Sequence, residues 1–419
     1  MSQPRPSDLS IDAPRLHARL RQLGAIGRRA DGTLARLAAT DEDRQGRDRL
    51  VAWMREAGLA VDVDALGNIF GTWRPDGAAS DADPVMIGSH IDTVADAGIY
   101  DGAYGVLGGL AVVEALRASG ILVRHPVTVA AFTNEEGFRF TPDMMGSLVH
   151  AGGLPLADAL AARDADGRTL GAELARIGYA GPMAPGTIRP RAYLELHVEQ
   201  GPILEHEGLR IGAVERLQGI SWQRVTIAGE ANHAGTTPMH LRRDAGYAAA
   251  RVATFVRDLA TESRGTTVAT VGTLRLEPGA INVIPARATL TLDIRDADEA
   301  RLAAAESAVA GLLRALAGEV GVEIDSERLV RFAPVTFDAS LVAGIERAAA
   351  SRGFPSRRMT SGAGHDAQMI ARIAPAAMIF VPSRGGISHS PHEQTDPEDL
   401  AAGAAVLLDV VREAAGAEG

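Results

Sequence analysis

Cysteine is absent from the 419 residues, which removes both a disulfide framework and thiolate metal ligands. Any metal site must then be built from His, Asp and Glu. Aromatic residues are only 4%, too few for platforms that stack single-stranded nucleic acid. Basic residues are outnumbered, 42 Lys plus Arg against 53 Asp plus Glu, giving a formal charge of −11 with no basic run. This balance argues against nucleic acid or an anionic membrane surface as a partner. No apolar stretch approaches the roughly 18 residues of a membrane-spanning helix, and the start, MSQPRPSDLSIDAPRL, lacks the apolar core of a secretory signal. The expectation is a cytoplasmic protein whose first ten residues, rich in Pro and Ser, fray.

What is present supports a full core. Hydrophobic residues make up 46% and charged ones 23%, a globular balance, and the length suits two or three domains. The rest is organised around Val85–Gly109, VMIGSHIDTVADAGIYDGAYGVLGG. A short apolar run reads as a strand delivering His90, Asp92 and Asp101 among small residues before a helix starts near Tyr104. His90 and Asp101 read as metal ligands, with Asp92 behind His90 as its orienting carboxylate, because a ligating imidazole usually donates its second N–H to a carboxylate or carbonyl. Taken alone, one H-x-D fits a solvated loop equally well.

Three further apolar strands end the same way. Val127–Phe132 runs into Thr133-Asn134-Glu135-Glu136-Gly137; Ala192–His197 ends in His197, with Glu199 and Gln200 just beyond; Ala376–Val381 leads to a glycine-containing loop that presents Ser388 and His389. Adjacent carboxylates at the exit of a buried strand are costly unless cations lie nearby. Ligands of open α/β sheets sit beyond the carboxyl ends of strands, so these ends could converge. His90, Asp101, Glu136, His197 and His389 would satisfy two ions of the zinc class: a carboxylate and two imidazoles on one, the shared carboxylate with Glu136 and His389 on the other. Glu135 is left unligated, able to take a proton from water and return it to a leaving nitrogen. Such ligands suit zinc, manganese, cobalt or nickel alike.

The pattern changes between 213 and 332. Strands over 221–228, 267–275, 287–294 and 322–331 and helices over 243–262 and 299–318 follow the βαββαβ order of a ferredoxin-like unit. The expected fold is α/β: a catalytic domain with a mixed sheet in two segments, 1–212 and 333–419, carrying an inserted domain at 213–332. Helices are also expected over 13–26, 41–57, 104–118, 339–352 and 397–414.

The motifs GSHIDTV, YDG, NEEGFRF, HVEQGP, NHAGTTPM, RRDA, INVIP, DIRD, SGAGHDAQ and SHSP together resemble the hydantoinase/carbamoylase family of amidohydrolases, within the dinuclear metallopeptidase superfamily, over residues 10–410. The resemblance implies His90, Asp101 and His197 on the first ion, Asp101 bridging, Glu136 and His389 on the second, Glu135 as general base and Asp92 behind the first set. It implies that the insert is a lid through which two copies pair as a homodimer. H-x-E-Q-G at His197 resembles the branch that hydrolyses ureido and related linear amide bonds, with Gln200 and Ser388 reaching the substrate. His233 would stabilise a developing oxyanion across the dimer interface, and Asn282 and Arg295 would bind the substrate, a guanidinium taking a carboxylate bidentately. Read without the resemblance, His233 is a surface-loop histidine and Arg295 a salt-bridge partner of Asp293 or Asp296.

The implied substrate is an N-carbamoyl or ureido small molecule bearing a carboxylate, of the kind taken by N-carbamoyl-L-amino acid hydrolases or β-ureidopropionases. Cleavage of its carbamoyl C–N bond would yield amino acid, ammonia and carbon dioxide. Allantoate amidohydrolase and aminoacylase or dipeptidase activity are the alternatives, and a non-catalytic homologue is disfavoured because metal binding alone does not require Glu135. Elsewhere, His365 lines the substrate pocket or simply starts a helix that Asp366 caps. Arg242 and Arg243 open the lid helix, pairing with Asp244 or facing solvent. Met144 and Met145 pack the core, and His125, His150, His206 and His240 are solvated or structural.

Overall fold

The computed structural model describes residues 9–76, 78–79 and 81–417; the expectation of a frayed start falls largely on residues 1–8, outside that range. The chain forms two compact units, one up to Glu215 and from Phe337 onward, the other Arg216–Thr336.

In the first unit the chain runs through α1 (Ala13–Ala25), α2 (Asp41–Glu56), β1 (Ala60–Val63), β2 (Ile69–Trp73), β3 (Val85–His90), α3 (Ala103–Ser119), β4 (Val127–Phe132), α4 (Met145–His150), α5 (Leu156–Ala161), α6 (Leu170–Ile177), β5 (Ala192–Val198), α7 (Ile203–Glu207) and β6 (Ile211–Leu217). Helix α2 shows why such segments fold locally. Thr40 accepts the Asp43 N–H at the N-cap, three acids fill the first turn, and Leu50, Val51, Trp53 and Met54 share the buried face.

The second unit contains β7 (Gly219–Ala228), α8 (Ala245–Glu262), β8 (Thr267–Glu277), β9 (Arg287–Asp296), α9 (Glu299–Val320) and β10 (Glu323–Phe332). Its four strands pair antiparallel in the order β10-β7-β9-β8, which with two crossing helices is the ferredoxin-like arrangement. Val225, Ile227, Leu290 and Leu292 of the sheet pack on Val252, Leu302, Val309 and Leu316 of the helices. Asp244 and Asp298 cap α8 and α9.

The chain then adds β11 (Val335–Thr336), α10 (Ala339–Ser351), β12 (Ser356–Ser361), α11 (Asp366–Ile370), β13 (Ala376–Val381) and α12 (Pro397–Ala414). The large mixed sheet has the order β1-β2-β4-β3-β5-β13-β6-β11, with β12 on β6. Within it β4, β3, β5 and β13 are neighbours and mutually parallel, and every residue of the four is buried. Parallel strands covered on both faces read as continuous apolar runs. Being parallel and adjacent, they bring their carboxyl ends to one edge of the sheet.

The second unit begins at Arg216 and ends at Thr336, where the sequence pattern placed its limits at 213 and 332. The reason is β6, which pairs with β13 at Met378↔Val214 and Ile379↔Ala213 and so keeps its start in the first unit; its pairing, not its short IGAVERL sequence, makes it a strand. Strand β12, SRRMTS, has five polar residues of six and is a strand through its pairing with β6. Among the described residues no helix is long and apolar enough to cross a membrane.

Candidate active site

The common edge of the four parallel strands gathers the ionisable side chains. His90 is the last residue of β3, His197 the penultimate residue of β5, and Glu135 and Glu136 follow β4. Asp101 ends the loop after β3, and Gly102 behind it has φ +61°; a Cβ there would lie 2.4 Å from the His90 ring, so only glycine lets the Asp101 turn come this close. His389 sits at φ +50° in the loop between β13 and α12.

His197 Nε2 lies 3.2 Å and His90 Nε2 3.5 Å from Asp101 Oδ1. His389 Nε2 lies 3.3 Å from Asp101 Oδ2 and 3.4 Å from Glu136 Oε2. These form two sets, His90–Asp101–His197 and Asp101–Glu136–His389, each with ligand atoms close together. A tetrahedral ion with bonds of about 2.0–2.1 Å holds its donors about 3.3 Å apart. The four imidazole–carboxylate distances match that spacing, and one Asp101 oxygen lies in each set, so the residues fit two divalent ions.

Hydrogen bonds prepare the imidazoles. His90 Nδ1 donates to the Asp92 carbonyl at 2.9 Å and His197 Nδ1 to the Val198 carbonyl at 2.8 Å. A carbonyl only accepts, so each ring carries a proton on Nδ1 and turns Nε2 toward the site, the nitrogen left to bind an ion. Asp92 therefore orients His90, but through its backbone: its carboxylate is 3.9 Å from Nδ1 and instead faces the N–H groups of Glu135 and Glu136 at 3.3 and 3.4 Å. Gln200 and Ser388, expected on the substrate, donate to Asp101 Oδ2 at 2.8 and 3.2 Å. Gln200 Oε1 is buried without a hydrogen-bond partner.

The electrostatics are those of a cation site. Asp101 is held well below the ordinary carboxylate range: burial opposes this, but hydrogen bonds from His197, His389 and His90 outweigh it. Burial, and then repulsion from Asp101, pushes Glu136 up to about 8. Glu135 is pushed well above its ordinary range by burial, reinforced by Asp366, Glu136 and Asp101, and its Oε2 is 3.4 Å from His90 Nε2. A buried charge without a partner costs several kcal/mol, and divalent cations would relieve Asp101, Glu136 and Glu135 together. The sequence contains no lysine, so proton transfer here falls to a carboxylate or an imidazole.

His365 is buried with its ring centroid 4.5 Å from that of His197 and 5.6 Å from that of Phe380, bracing the ligand. It occupies the N-cap position of α11. Asp366, expected to cap, lies inside the helix and accepts from Ser147 Oγ at 2.5 Å. Two supports escaped the sequence reading. Glu195, fully buried in β5, accepts from Ser89, Tyr193 and the Ala367 N–H; a lone acid inside AYLELHV was a visible signal. Fully buried Arg36 donates to the Ile91 and Leu23 carbonyls, which no local pattern announces.

In the second unit, His233 is exposed and its Nδ1 accepts the N–H groups of Gly235 and Thr236 at 3.0 and 3.2 Å. The ring proton is therefore on Nε2, an available donor. The Asn282 carbonyl accepts the Ala234 N–H at 3.0 Å, placing Asn282 beside this loop. Arg242 donates to the Ala234 and Thr237 carbonyls rather than pairing with Asp244, and so shapes the His233 loop. Arg295 pairs with Asp293 at 2.7 Å.

This arrangement has counterparts among known proteins: the sequence pattern of peptidase family M20/M25/M40 matches residues 86–413. The chain belongs to that family. Within it, an N-carbamoyl-L-amino acid amidohydrolase of Geobacillus stearothermophilus is 43% identical over 96% of this chain and 98% of its own length. An allantoate amidohydrolase of Bacillus subtilis is 35% identical over 93% and 94%. The crystal structure of an amidase of the hydantoinase/carbamoylase family from Burkholderia multivorans superposes with a TM-score of 0.91 at 44% identity, covering 97% of this chain and 98% of that one. The family read from the motifs and the family found by comparison agree.

Proposed function

We propose that this M20/M25/M40 hydrolase is a two-metal amidohydrolase that cleaves the carbamoyl C–N bond of N-carbamoyl amino acids, releasing the amino acid, ammonia and carbon dioxide. The observation that carries the reading is Asp101, whose two oxygens each face one ligand set, with the unligated acid Glu135 buried alongside. The activity printed for the Geobacillus relative supplies the reaction class.

Two divalent ions, of zinc, manganese, cobalt or nickel, would be held by His90, Asp101 and His197 and by Asp101, Glu136 and His389, and would supply Lewis acidity toward the ureido carbonyl and the attacking water. Glu135, unligated beside both sets, takes the proton from that water and delivers it to the leaving nitrogen. Gln200 anchors Asp101 with its amide N–H and keeps Oε1 for the ureido NH2. Ser388 steadies the same carboxylate. His365 backs His197. His233 donates from Nε2 to the developing oxyanion, and Asn282 and Arg295 take the substrate carboxylate, Arg295 exchanging Asp293 for it.

The protein would act in the cytoplasm as a homodimer joined through the second unit, whose edge strand β8 exposes Val268, Leu274 and Leu276. A second reading, allantoate hydrolysis, is favoured by the Bacillus subtilis relative. Ammonia release should be measured on N-carbamoyl-L-amino acids, N-carbamoyl-β-alanine, allantoate and an N-acyl amino acid after chelation and reloading with each metal. The largest kcat/KM is expected on an N-carbamoyl-L-amino acid; a larger value on allantoate would replace the first reading with the second.

A further inference from the structure

Glu393 lies four residues beyond His389 and is buried. Its Oε2 accepts the Tyr100 N–H at 2.9 Å across 293 residues of sequence, and the Asp101 N–H also bonds the carboxylate. Its Oε1 is buried with no hydrogen-bond partner, a costly arrangement for a side chain that only fills space. The fit depends on Gly98, where a Cβ would stand 2.0 Å from Glu393 Oε2 and 2.4 Å from Glu393 Cβ. Around it the loop is tied to itself: the Glu393 N–H donates to the Ser390 carbonyl at 3.0 Å and the Arg384 N–H to the Gln394 carbonyl at 2.8 Å. His389, by contrast, has a side chain 52% exposed and a left-handed backbone, so little packing fixes it directly.

We propose that Glu393 is a positioning residue that fastens the His389-bearing loop to the backbone of the bridging Asp101, and that the Asp101–Glu136–His389 set holds its ion only while this fastening is in place. The inference rests on the two-ion reading above. It explains why a carboxylate is buried behind a site already crowded with them. Its carboxylate accepts two successive backbone N–H groups, those of Tyr100 and Asp101, and so ties the loop to the turn from which the Asp101 side chain enters. In the other set His90 and His197 are carried by strands, so only Asp101 among its ligands is reached by the fastening.

The test is titration of the full-length metal-free protein with zinc, read by calorimetry and by metal content after gel filtration. Wild type should bind two ions per chain; uptake of one or none would refute the two-ion reading itself, before any variant is considered. Glu393→Gln, which keeps shape and removes charge, should weaken the ion of the Asp101–Glu136–His389 set by about 10- to 100-fold, the usual effect of removing an outer support, and the other ion distinctly less. Glu393→Asp should restore part of this affinity. Gly98→Ala, which displaces the carboxylate without altering any charge, should reproduce the selective loss. Two tight ions in both Glu393→Gln and Gly98→Ala would overturn the proposal. So would equal loss of both ions with a lowered melting temperature of the metal-free protein, the mark of a packing role.

Discussion

His197 in the first unit and His233 in the second are the same side chain prepared in opposite ways. His197 donates from Nδ1 to a carbonyl, which leaves Nε2, turned toward Asp101, as the nitrogen for an ion. His233 receives two backbone N–H groups on Nδ1 and turns an N–H outward from Nε2. The first is buried in a parallel strand; the second is exposed on a glycine-containing loop. A lone pair suits a cation and an N–H suits a developing anion, so neighbouring backbone groups, not residue type, divide the labour. The first unit would hold metal and move protons, and the second would bind and stabilise substrate. Changes in the first unit should therefore alter metal content or proton transfer, and changes in the second should alter turnover or KM alone.

The sharpest break is expected at Glu135, which belongs to the metal-bearing edge without belonging to either ligand set. Glu135→Gln should keep both ions and lower kcat by about 10³- to 10⁴-fold, the upper part of the range for general acid–base groups. Metal content and steady-state kinetics on one preparation decide this, and near-wild-type kcat would remove Glu135 as the base. Next in size, His233→Ala should lower kcat by about 10²- to 10³-fold, as loss of an oxyanion donor does, with two ions still bound. His197→Ala, in contrast, should lose metal. If His233→Ala also lost metal, the division between the units would fail.

How far this was legible in the sequence follows from the kind of signal each feature leaves. The four parallel strands are fully buried, so they appear as unbroken apolar runs, and a His or acid at the end of each stands out. The ferredoxin-like unit was legible from the order of its elements, because β9 alternates in burial and α8 and α9 have helical spacing and Asp caps. What was not legible is which atom of a residue turns inward. Asp92 could be picked as the support of His90, but that its carbonyl does the work depends on the backbone path after β3. The same holds for Gln200, whose φ of +57° turns it onto Asp101. Arg36 and Glu393 act on partners 55 and 293 residues away, so no local pattern contains them. Polar β12 became a strand only by pairing with β6.

A smaller effect separates substrate binding from chemistry within the second unit. Arg295→Lys keeps the charge but loses the planar fork, and should raise KM for carboxylate substrates by about tenfold with kcat nearly unchanged. An unaltered KM would return Arg295 to a plain salt bridge with Asp293.

The smallest effect concerns His389, the most exposed ligand, in the metal-free protein. A hydrogen bond to Asp101, opposed by burial and helped by Glu136, raises its pKa to about 9. The folded state thus binds this proton more tightly than the unfolded chain, whose histidine titrates near 6.5. The stabilisation from protonated His389 is fully present below about 6.5 and is lost as pH rises through about 9. Half-exposure of the side chain screens it, so the shift in melting temperature should be modest. The gap in melting temperature between metal-free wild type and His389→Ala should therefore narrow from pH 6 to pH 10. Zinc added at pH 10 should widen it again, because the ion takes the place of the proton on Nε2. A gap independent of both pH and zinc would mean that His389 does not face Asp101 and Glu136 in solution, and the loop-borne ligand set would have to be redrawn.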